Sequence, residues 1–399
     1  MSAAPLRVLV VHSSAEFYGS DKSLLDVVRM RPPHMAMTVV LPEQGPLVAA
    51  LQACGAEVLV GEVCKLQRAM LSPAGLWRTL RAVLDTLRFL GSLHRKRQFQ
   101  LVYSNSVAIL GGALFARRAG LPHVWHVREI VASSRQLTWV FRQLVRRMCV
   151  RAVCNSAETR AWIADGGPAQ AARYLVVWNG MDPSGAPLDR AAARRSLGAA
   201  PNELLFVLVG RLNAWKGHGL LVEAFAALVR QDAAILPPLR LAIVGSSYAG
   251  QEQFEAQLRD AVAGSGCAAQ ITVAPFRDDV EAVWVAADVV VVPSTEPEPF
   301  GRVAVEAMGF AKPVIAAAHG GLIEIVQDGI TGLLVPPRDA AALAGALKRI
   351  AVDGPLREAM GLAGRERQRT LFSLQGYVER VTAVLQEAAV PAAFKRESR

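Results

Sequence analysis

Short apolar runs alternate with longer amphipathic stretches along almost the whole chain. In the first half, aliphatic runs predict strands at 6–11, 37–41, 57–60, 101–104, 123–126, 151–155 and 174–178. Apolar positions with helical spacing lie between them, for example over 22–29, 76–95 and 136–148. The rhythm restarts with strands at 204–209, 240–244, 271–273, 289–292, 314–316 and 333–335. This alternation is typical of parallel sheets covered on both faces, so we expect two α/β domains.

A turn-rich segment at 179–187 separates the two halves of the chain. We therefore predict an N-terminal domain at 1–183 and a C-terminal domain at 184–372. A last helix is predicted within 373–399, to about residue 390, before a short polar tail at 395–399. The 399 residues are enough for two domains of ordinary size.

The stretch 289–308 carries the most informative chemistry. Four valines at 289–292 predict a buried strand, and the loop after it leads into a helix that begins near Gly301. Such a loop is a usual binding place for phosphorylated ligands in open α/β sheets. Glu298 lies in this loop, and Glu306 lies about one and a half turns into the helix. Taken alone, the pair fits two interpretations equally well. Either both carboxylates contact a ligand, or Glu298 is a solvated loop residue and Glu306 an acid that interacts with the helix dipole.

Two cations precede another helix of the same domain. Arg211 follows the strand at 204–209, and Lys216 lies in the short loop before the helix predicted at 220–230. Two cations held by one loop at the end of a strand can bind a diphosphate. Asp278 and Asp279 precede a further helix and are interpreted as N-terminal caps. The sequence contains no D-x-D motif, so no divalent metal is expected.

The segment 298–306, which begins Glu-Pro-Phe-Gly and ends with Glu, resembles the signature of family 4, the retaining glycosyltransferases of the GT-B fold. The segment 210–217, Gly-Arg-Leu followed by Lys-Gly, resembles a second element of that family. The resemblance implies that Glu298 lies at the donor sugar and that Glu306 hydrogen-bonds the ribose of the nucleotide. It also implies that Arg211 and Lys216 neutralise the leaving nucleoside diphosphate. Further donor contacts are implied for Gly245, Phe276, Arg277, Phe300 and Gly301, with the glycines of 319–321 forming a turn under the sugar pocket.

The resemblance extends to loops of the N-terminal domain. Gly19 lies where the family has a Gly-Gly-x-Glu loop that meets the diphosphate, although Ser20 and Asp21 replace the second glycine and the acid. His126 matches the family's histidine at the reaction centre, whereas a lone histidine at a strand end is more often structural. The segment 179–182 resembles an interdomain Asn-Gly-x-Asp and fits a plain turn equally well. Polar residues near other strand ends are expected on the acceptor side, namely Asn105, Arg128 and Asn155.

Charge is distributed unevenly along the chain. Residues 1–183 contain 22 Lys and Arg against 11 Asp and Glu, whereas residues 184–399 contain 22 against 23. The basic half favours an anionic membrane, a lipid-pyrophosphate acceptor or nucleic acid, or it reflects arginines on solvated faces. The stretch 76–97 fits both a helix on a membrane surface and a sheet-covering helix with a basic outer face, and we prefer the second.

Several protein classes are not expected. No apolar run is long enough to span a bilayer, and the N-terminus has no signal-peptide pattern. The five cysteines form no C-x-x-C pair and are interpreted as reduced core thiols of a cytosolic protein. Nucleic-acid binding is not expected, because no recognition motif is present.

The resemblance implies a GT-B fold, in which two Rossmann-like, doubly wound parallel-sheet domains face a cleft and the C-terminal helix crosses back to the first domain. The implied activity is metal-independent, retaining hexosyl transfer from a UDP- or GDP-linked sugar to a glycan or lipid-linked acceptor, in cell-envelope polysaccharide or lipopolysaccharide synthesis. The nucleotide sugar is a substrate, and no cofactor is expected. The expected location is the cytoplasm or the inner face of the cytoplasmic membrane. Two alternatives remain, a nucleotide-sugar 2-epimerase of the same fold and a non-catalytic nucleotide-sugar-binding subunit.

Overall fold

The computed structural model describes residues 5–66, 73–130, 135–164, 172–232 and 236–390. These residues form two compact units. The first contains the described residues up to 180 and those from 374 onward, and the second contains 181–373. The boundaries predicted from the sequence were 183 and 372. The polar tail predicted at 395–399 lies outside the described residues.

A parallel sheet forms the centre of the N-terminal unit. Its strands are β1 (Leu6–Val11), β2 (Met35–Leu41), β3 (Glu57–Val60), β4 (Leu101–Ser104), β5 (His123–Val127), β6 (Arg151–Cys154) and β7 (Tyr174–Val176). Their order is β3-β2-β1-β4-β5-β6-β7. The order reverses between β1 and β4, where Val11 lies beside Ser104. The carboxyl ends of these two strands therefore flank the place where open α/β sheets usually bind ligands.

Helices cover both faces of this sheet. They are α1 (Gly19–Arg29), α2 (Pro46–Ala53), α3 (Pro73–Arg97), α4 (Leu110–Ala119), α5 (Arg135–Met148) and α6 (Ala157–Ile163). Val8 and Val10 pack with Leu24 of α1. Leu9, on the opposite face of β1, packs with Phe115 of α4. Alternate residues of one strand thus enter two cores, which explains why the strand is apolar throughout its buried part, Val8 to Val11.

The C-terminal unit repeats this architecture with a second parallel sheet. Its strands are β8 (Leu204–Val209), β9 (Leu239–Val244), β10 (Ile271–Ala274), β11 (Val289–Val292), β12 (Val314–Ala317) and β13 (Gly332–Val335). Their order is β10-β9-β8-β11-β12-β13. Here the order reverses between β8 and β11, which pair through Phe206 and Val289. The loops after these two strands carry the residues that the sequence singled out most strongly.

Helices also surround the second sheet. They are α7 (Arg190–Ser196), α8 (His218–Asp232), α9 (Gln253–Gly264), α10 (Val280–Ala286), α11 (Arg302–Gly309), α12 (Leu322–Ile325), α13 (Ala340–Val352) and α14 (Gly354–Leu371). Phe206 of β8 packs edge to face on Phe225 of α8 within the largest buried cluster of the unit. This packing fixes the direction in which α8 leaves the strand end.

The last helix, α15 (Leu374–Ala389), belongs to the N-terminal unit. Tyr377, Val381 and Leu385 are buried in the same core as Val8 and Leu24. The Tyr377 hydroxyl accepts a hydrogen bond of 2.7 Å from Nη2 of Arg128. The expected return of the C-terminal helix to the first domain is thus confirmed.

Helix α3 differs from the interpretation given to the stretch 76–97. In its second half Leu90 is completely buried against the sheet, as a sheet-covering helix requires. In its first half Trp77 and Leu80 are exposed. The preferred interpretation is therefore correct for only part of the helix.

Two remaining expectations concern membranes and thiols. Among the described residues, no helix has both the length and the apolar character needed to cross a membrane. The five cysteines are free, and all but Cys54 are buried. Burial raises the pKa of Cys64 to about 11 and that of Cys149 and Cys154 to about 12, which keeps these thiols protonated.

Candidate active site

Two loops of the C-terminal unit pack together where the strand order reverses. We call them the cation loop (210–217, after β8) and the glutamate loop (293–301, after β11). The backbone N–H of Thr295 donates to the carbonyl of Trp215 at 2.7 Å. Gly217 has a φ of +77°, and a Cβ at this position would lie 2.0 Å from the carbonyl oxygen of Pro293. Only glycine allows this approach, so the two loops are held in backbone contact.

An ion pair joins the two loops. Nζ of Lys216 lies 2.5 Å from Oε1 of Glu298, and the two side chains are 20% and 6% exposed. The hydroxyl of Ser294 donates to the same carboxylate oxygen at 2.7 Å. The Lys216 ammonium also lies 4.4 Å from the centre of the Trp215 ring. The structure therefore brings together two residues predicted from separate motifs, and it adds Ser294, which the sequence did not indicate.

A third loop, at 319–321, packs against the glutamate loop. The N–H of Gly321 donates to the carbonyl of Glu298 at 2.7 Å, and Nε2 of His319 donates to the carbonyl of Ser294 at 2.8 Å. A Cβ on Gly320 would lie 2.4 Å from the carbonyl oxygen of Glu298. The predicted turn is confirmed, and it lies directly against the backbone that positions Glu298. The sugar pocket above it stays a prediction.

Arg211 and Gly245 lie at neighbouring strand ends of the same sheet edge. The Arg211 guanidinium stacks on Tyr248, with its carbon 3.3 Å from the ring centre. A Cβ on Gly245 would lie 1.9 Å from the carbonyl oxygen of Gly210. Close packing of β8 and β9 therefore requires this glycine, whether or not it also contacts a nucleotide. Tyr248 orients Arg211 and was not predicted, because nothing in the sequence links the two residues.

Phe276 and Arg277 follow β10. Phe276 is exposed, and its N–H donates to the Ser246 hydroxyl at 3.0 Å. Arg277 forms an ion pair of 2.6 Å with Asp279. Asp279 occupies the N-cap position of α10, but its side chain makes no capping hydrogen bond. The capping interpretation of Asp279 is thus wrong, because Arg277 binds the carboxylate that would cap the helix.

Three more predicted residues lie in α11 or just before it. Glu306 accepts a hydrogen bond of 3.2 Å from Nε of Arg302, one turn earlier. The Phe300 ring is buried with its centre 6.1 Å from that of Phe372. Gly301 has a φ of +107°, and a Cβ there would lie 2.6 Å from Leu322. Phe300 and Gly301 therefore anchor the helix start, and a contact from either one to a ligand would come from the backbone.

A network of buried polar residues lies at the carboxyl edge of the N-terminal sheet. Nε2 of His12, just after β1, lies 2.6 Å from Oδ1 of Asp21, and both side chains are fully buried. Asn105, just after β4, donates to Nδ1 of His12 at 3.1 Å and accepts from Nε of Arg128 at 2.9 Å. Gly19 begins α1, two residues before Asp21. The acid that departs from the family pattern therefore holds His12.

His126 belongs to the same network. Its Nδ1 lies 2.6 Å from the Tyr103 hydroxyl and 3.3 Å from Nη2 of Arg128. Because a guanidinium only donates, Nδ1 accepts, and the proton of the neutral ring is on Nε2. Burial and then the charge of Arg128 hold the pKa of His126 well below its ordinary value. Nε2 is buried and has no hydrogen-bond partner among the described residues, so it is an unused donor.

The three residues predicted on the acceptor side are buried. Asn105 uses its amide on His12 and its oxygen on Arg128. Arg128 also donates to Oδ1 of Asn179 at 2.9 Å, so Asn179 does more than form a turn. Oδ1 of Asn155 is buried without a partner in the described part of the chain. These contacts position His126, and direct contact with an acceptor stays a prediction.

Metal ligands were not predicted, and this expectation also stays a prediction. In the described ranges, no three His, Cys, Asp or Glu side chains converge on a point that could hold a metal ion.

Comparison with known proteins identifies the domain that holds the Lys216–Glu298 pair. Residues 189–367 match the family model described as "Glycosyl transferases group 1". The D-inositol 3-phosphate glycosyltransferase of Geodermatophilus obscurus is 37% identical over 242 residues, which are 60% of this chain and 53% of that protein. The protein of the same name from Acidothermus cellulolyticus is 31% identical over 291 residues, which are 69% and 64% of the two chains. The chain therefore spans little more than half the length of the curated relatives that it matches.

Solved structures cover nearly the whole chain. The Anabaena protein Alr3699/HepE in complex with UDP-glucose is 25% identical, has a TM-score of 0.80, and is matched over 96% of this chain and 99% of its own. A glycosyltransferase from Rickettsia africae has a TM-score of 0.81 at 18% identity, over 97% and 100% of the two chains. The predicted GT-B fold is confirmed, and residues 189–367 form a glycosyl transferases group 1 domain.

Proposed function

We propose that this protein is a glycosyltransferase that uses a nucleoside-diphosphate sugar as donor. One observation carries the proposal. The Lys216–Glu298 ion pair lies at the ends of two adjacent strands, where the strand order of a group 1 domain reverses. A cation and a carboxylate held 2.5 Å apart offer one group for a phosphate and one for sugar hydroxyls.

Charge stabilisation is the proposed role of the cation loop. Negative charge grows on the diphosphate as the bond to the sugar breaks. Arg211, stacked on Tyr248, and Lys216, held by Glu298, are already ordered and need little reorganisation to meet that charge. The N-terminus of α8 follows immediately and adds its partial positive charge. These cations and amides would do the work that a metal does in other transferases, with Glu306 proposed on the ribose.

His126 is proposed to act at the reaction centre as a hydrogen-bond donor. With Nδ1 occupied by Tyr103 and Arg128, only the N–H of Nε2 is available to a sugar oxygen. A ring whose pKa is well below its ordinary value stays neutral and does not carry a positive charge to the sugar. Retention of configuration is part of the proposal and rests on the family resemblance.

The acceptor is proposed to be a glycan or a lipid-linked sugar, as in cell-envelope polysaccharide or lipopolysaccharide synthesis. The excess of basic residues in 1–183 supports an anionic or membrane-bound acceptor at the inner face of the cytoplasmic membrane. The curated relatives are named for D-inositol 3-phosphate, so this soluble anion is a second candidate acceptor.

Saturation-transfer NMR tests the donor site. UDP-, GDP- and ADP-sugars are presented without metal to the wild type, Arg211→Ala, Glu306→Ala and a control, Arg349→Ala, which changes an exposed arginine of α13. We expect one nucleotide sugar to bind, with UDP-glucose the first to try, and both site variants to weaken that binding at least tenfold. Binding to none of them by a folded wild type would overturn the proposal.

Turnover separates the alternatives. With the bound donor, product should form only when an acceptor is added, either D-inositol 3-phosphate or a lipid-linked glycan. Formation of an epimeric nucleotide sugar without acceptor would identify a 2-epimerase. Donor binding with no turnover on any acceptor would identify a non-catalytic binding subunit.

A further inference from the structure

Two helices of the N-terminal unit, one on each side of α4, expose large apolar side chains. Trp77, Leu80 and Leu84 follow one stripe of α3, and Trp77 is 76% exposed. On α5, Trp139 is 61% exposed and Val140 lies beside it. Both helices pack against α4 on the same side of the sheet. Two exposed tryptophans on one helical layer are unusual for a surface that faces only water.

A groove lies between α4 and α5 beside Trp139. It has a volume of about 360 Å³, within the range of roughly 300–1,000 Å³ that is common for small-ligand pockets. Leu114, Leu144 and Met148 are half-buried and form its apolar wall. Two exposed arginines, Arg117 and Arg147, also line it. The groove thus combines an apolar wall with two cations at its rim.

The charge around the groove has one sign. Helices α4 and α5 contain six arginines and no acidic residue. Neither Arg117 nor Arg147 forms an ion pair with any residue that the structure describes. A ligand that satisfies both parts of the groove carries a negative charge beside an apolar chain.

We propose that this groove binds an anionic phospholipid of the membrane surface. The phosphate lies between Arg117 and Arg147, the acyl chain packs on Leu144, and Trp139 lies at headgroup depth. The site gives the proposed membrane association a specific location, and in this sense it rests on the proposed function, although it does not depend on sugar transfer. It also places α5 on the bilayer, with Trp77 on α3 as a second contact.

Vesicle flotation tests the site with the full-length chain. The vesicles are phosphatidylcholine alone, or phosphatidylcholine with 30% phosphatidylglycerol, at 100 mM salt. We expect binding to the anionic vesicles only. Because each arginine near such a surface contributes about fivefold, Arg117→Gln/Arg147→Gln should weaken binding roughly 25-fold. Trp139→Ser should weaken it on the order of tenfold. Two controls in the C-terminal unit, Arg349→Gln and the exposed Leu362→Ser, should bind like the wild type.

Depth of insertion gives a second measurement. Phosphatidylglycerol with brominated acyl chains should quench tryptophan fluorescence of the wild type. Trp139→Phe should lose about half of this quenching, and Trp77→Phe/Trp139→Phe should lose most of it. Equal flotation with neutral and anionic vesicles, or wild-type binding by the double arginine variant, would overturn the proposal. So would self-association that Trp139→Ser abolishes, since the occupant would then be a second copy of the chain.

Donor binding is measured on the same variants. Arg117→Gln/Arg147→Gln should retain the NMR signal of the donor while losing flotation. If the wild type floats but binds no nucleotide sugar, the transferase proposal fails alone. If it binds donor but does not float, the lipid site fails alone.

Discussion

At the residue scale, the Lys216–Glu298 pair links stability to the proposed activity. Lys216→Met leaves a carboxylate buried with only Ser294 as partner. Removing one partner of a buried pair costs roughly 3–5 kcal/mol, and the partial exposure of Lys216 reduces our expectation to about 2 kcal/mol of unfolding free energy. The double variant Lys216→Met/Glu298→Gln should recover part of this loss. Urea unfolding measures both values.

A matched control is an exposed ion pair of the glutamate loop. Arg338 pairs with Glu296, and both side chains are largely exposed. Arg338→Met should therefore change the unfolding free energy by no more than about 0.5 kcal/mol. Equal effects of Lys216→Met and Arg338→Met would show that burial of the first pair has no energetic consequence.

The tautomer of His126 leads to a second prediction. An asparagine amide can reproduce the Nδ1 contact with Tyr103 but cannot reach the position of Nε2, whereas glutamine can. We therefore expect His126→Asn to lower kcat about 100-fold with little change in donor affinity, and His126→Gln to retain more activity. The two variants should unfold at similar urea concentrations.

The pH dependence of activity can contradict the proposed role of His126 as a neutral donor. Because the pKa of His126 lies well below its ordinary value, wild-type kcat/KM should show no inflection from His126 between pH 6 and 8. An inflection near pH 6.5 that disappears in His126→Gln would show that the residue titrates and acts as a base.

Site residues that belong to a short sequence motif could be predicted, but the residues that contact them could not. Glu298 and Lys216 stand in motifs, so the sequence indicates them. Tyr248 meets Arg211 only when two loops that are distant in the sequence come together, and no spacing along the chain encodes such a meeting. Ser294 lies only four residues from Glu298, but the local sequence does not show that its hydroxyl turns towards that carboxylate. Asp21 shows the same limit, because its departure from the family pattern gave no sign that it holds His12.

At the scale of elements, the contact between the cation loop and the glutamate loop depends on Gly217. A side chain there would meet the Pro293 carbonyl and would also be strained at a φ of +77°. We expect Gly217→Ala to lower the free energy of unfolding by about 2 kcal/mol and to abolish donor binding. Urea unfolding and the donor NMR signal measure the two effects.

Gly219 is the matched control for this substitution. It lies two residues later in α8, and a Cβ there would meet nothing within 4 Å. Gly219→Ala should be neutral or should stabilise the helix by up to about 1 kcal/mol. If both variants behave alike, the close approach of the loops does not constrain the site.

The elements themselves were largely predictable because their pattern is local. Strands such as β1, β8 and β11 coincide with their apolar runs to the residue. Interactions at element ends were less predictable. Asp279 stands where a cap belongs, yet its side chain pairs with Arg277, because the arginine offers two charged donors and the helix end offers only neutral ones.

At the scale of the whole molecule, buried histidines set the response to acid. Burial lowers the pKa of His123 to about 4, below the value near 6.5 expected in the unfolded chain. The unfolded state therefore binds more protons below pH 6.5, so stability falls as the pH decreases from about 6.5 towards 4. For His123 alone this loss amounts to about 2 kcal/mol at pH 5, relative to pH 7.5.

Replacement of His123 isolates this contribution. His123→Asn should lose less stability than the wild type between pH 7.5 and 5, as measured by urea unfolding at the two values. His34→Asn, which changes an exposed histidine, should lose as much as the wild type. Identical pH dependence in all three proteins would contradict the assignment to His123.

The two-domain architecture could be predicted from the sequence, because two separate series of alternating strands and helices are compatible with few other folds. The pairing of α15 with the first sheet came only from the family resemblance. Its apolar face would suit either unit, and nothing in the pattern of Tyr377, Val381 and Leu385 selects one of them.

The return of α15 has a consequence for synthesis on the ribosome. Residues 181–373 are continuous and can fold as soon as they emerge, whereas the first unit lacks part of its core until residues 374–389 are made. We expect arrested nascent chains in which residues up to 373 have emerged from the ribosome, but 374–389 have not, to yield a protease-resistant fragment from 181–373 and rapid cleavage within 1–180. Equal resistance of both parts would contradict this order. The part of the protein that is translated first is thus the part that is completed last.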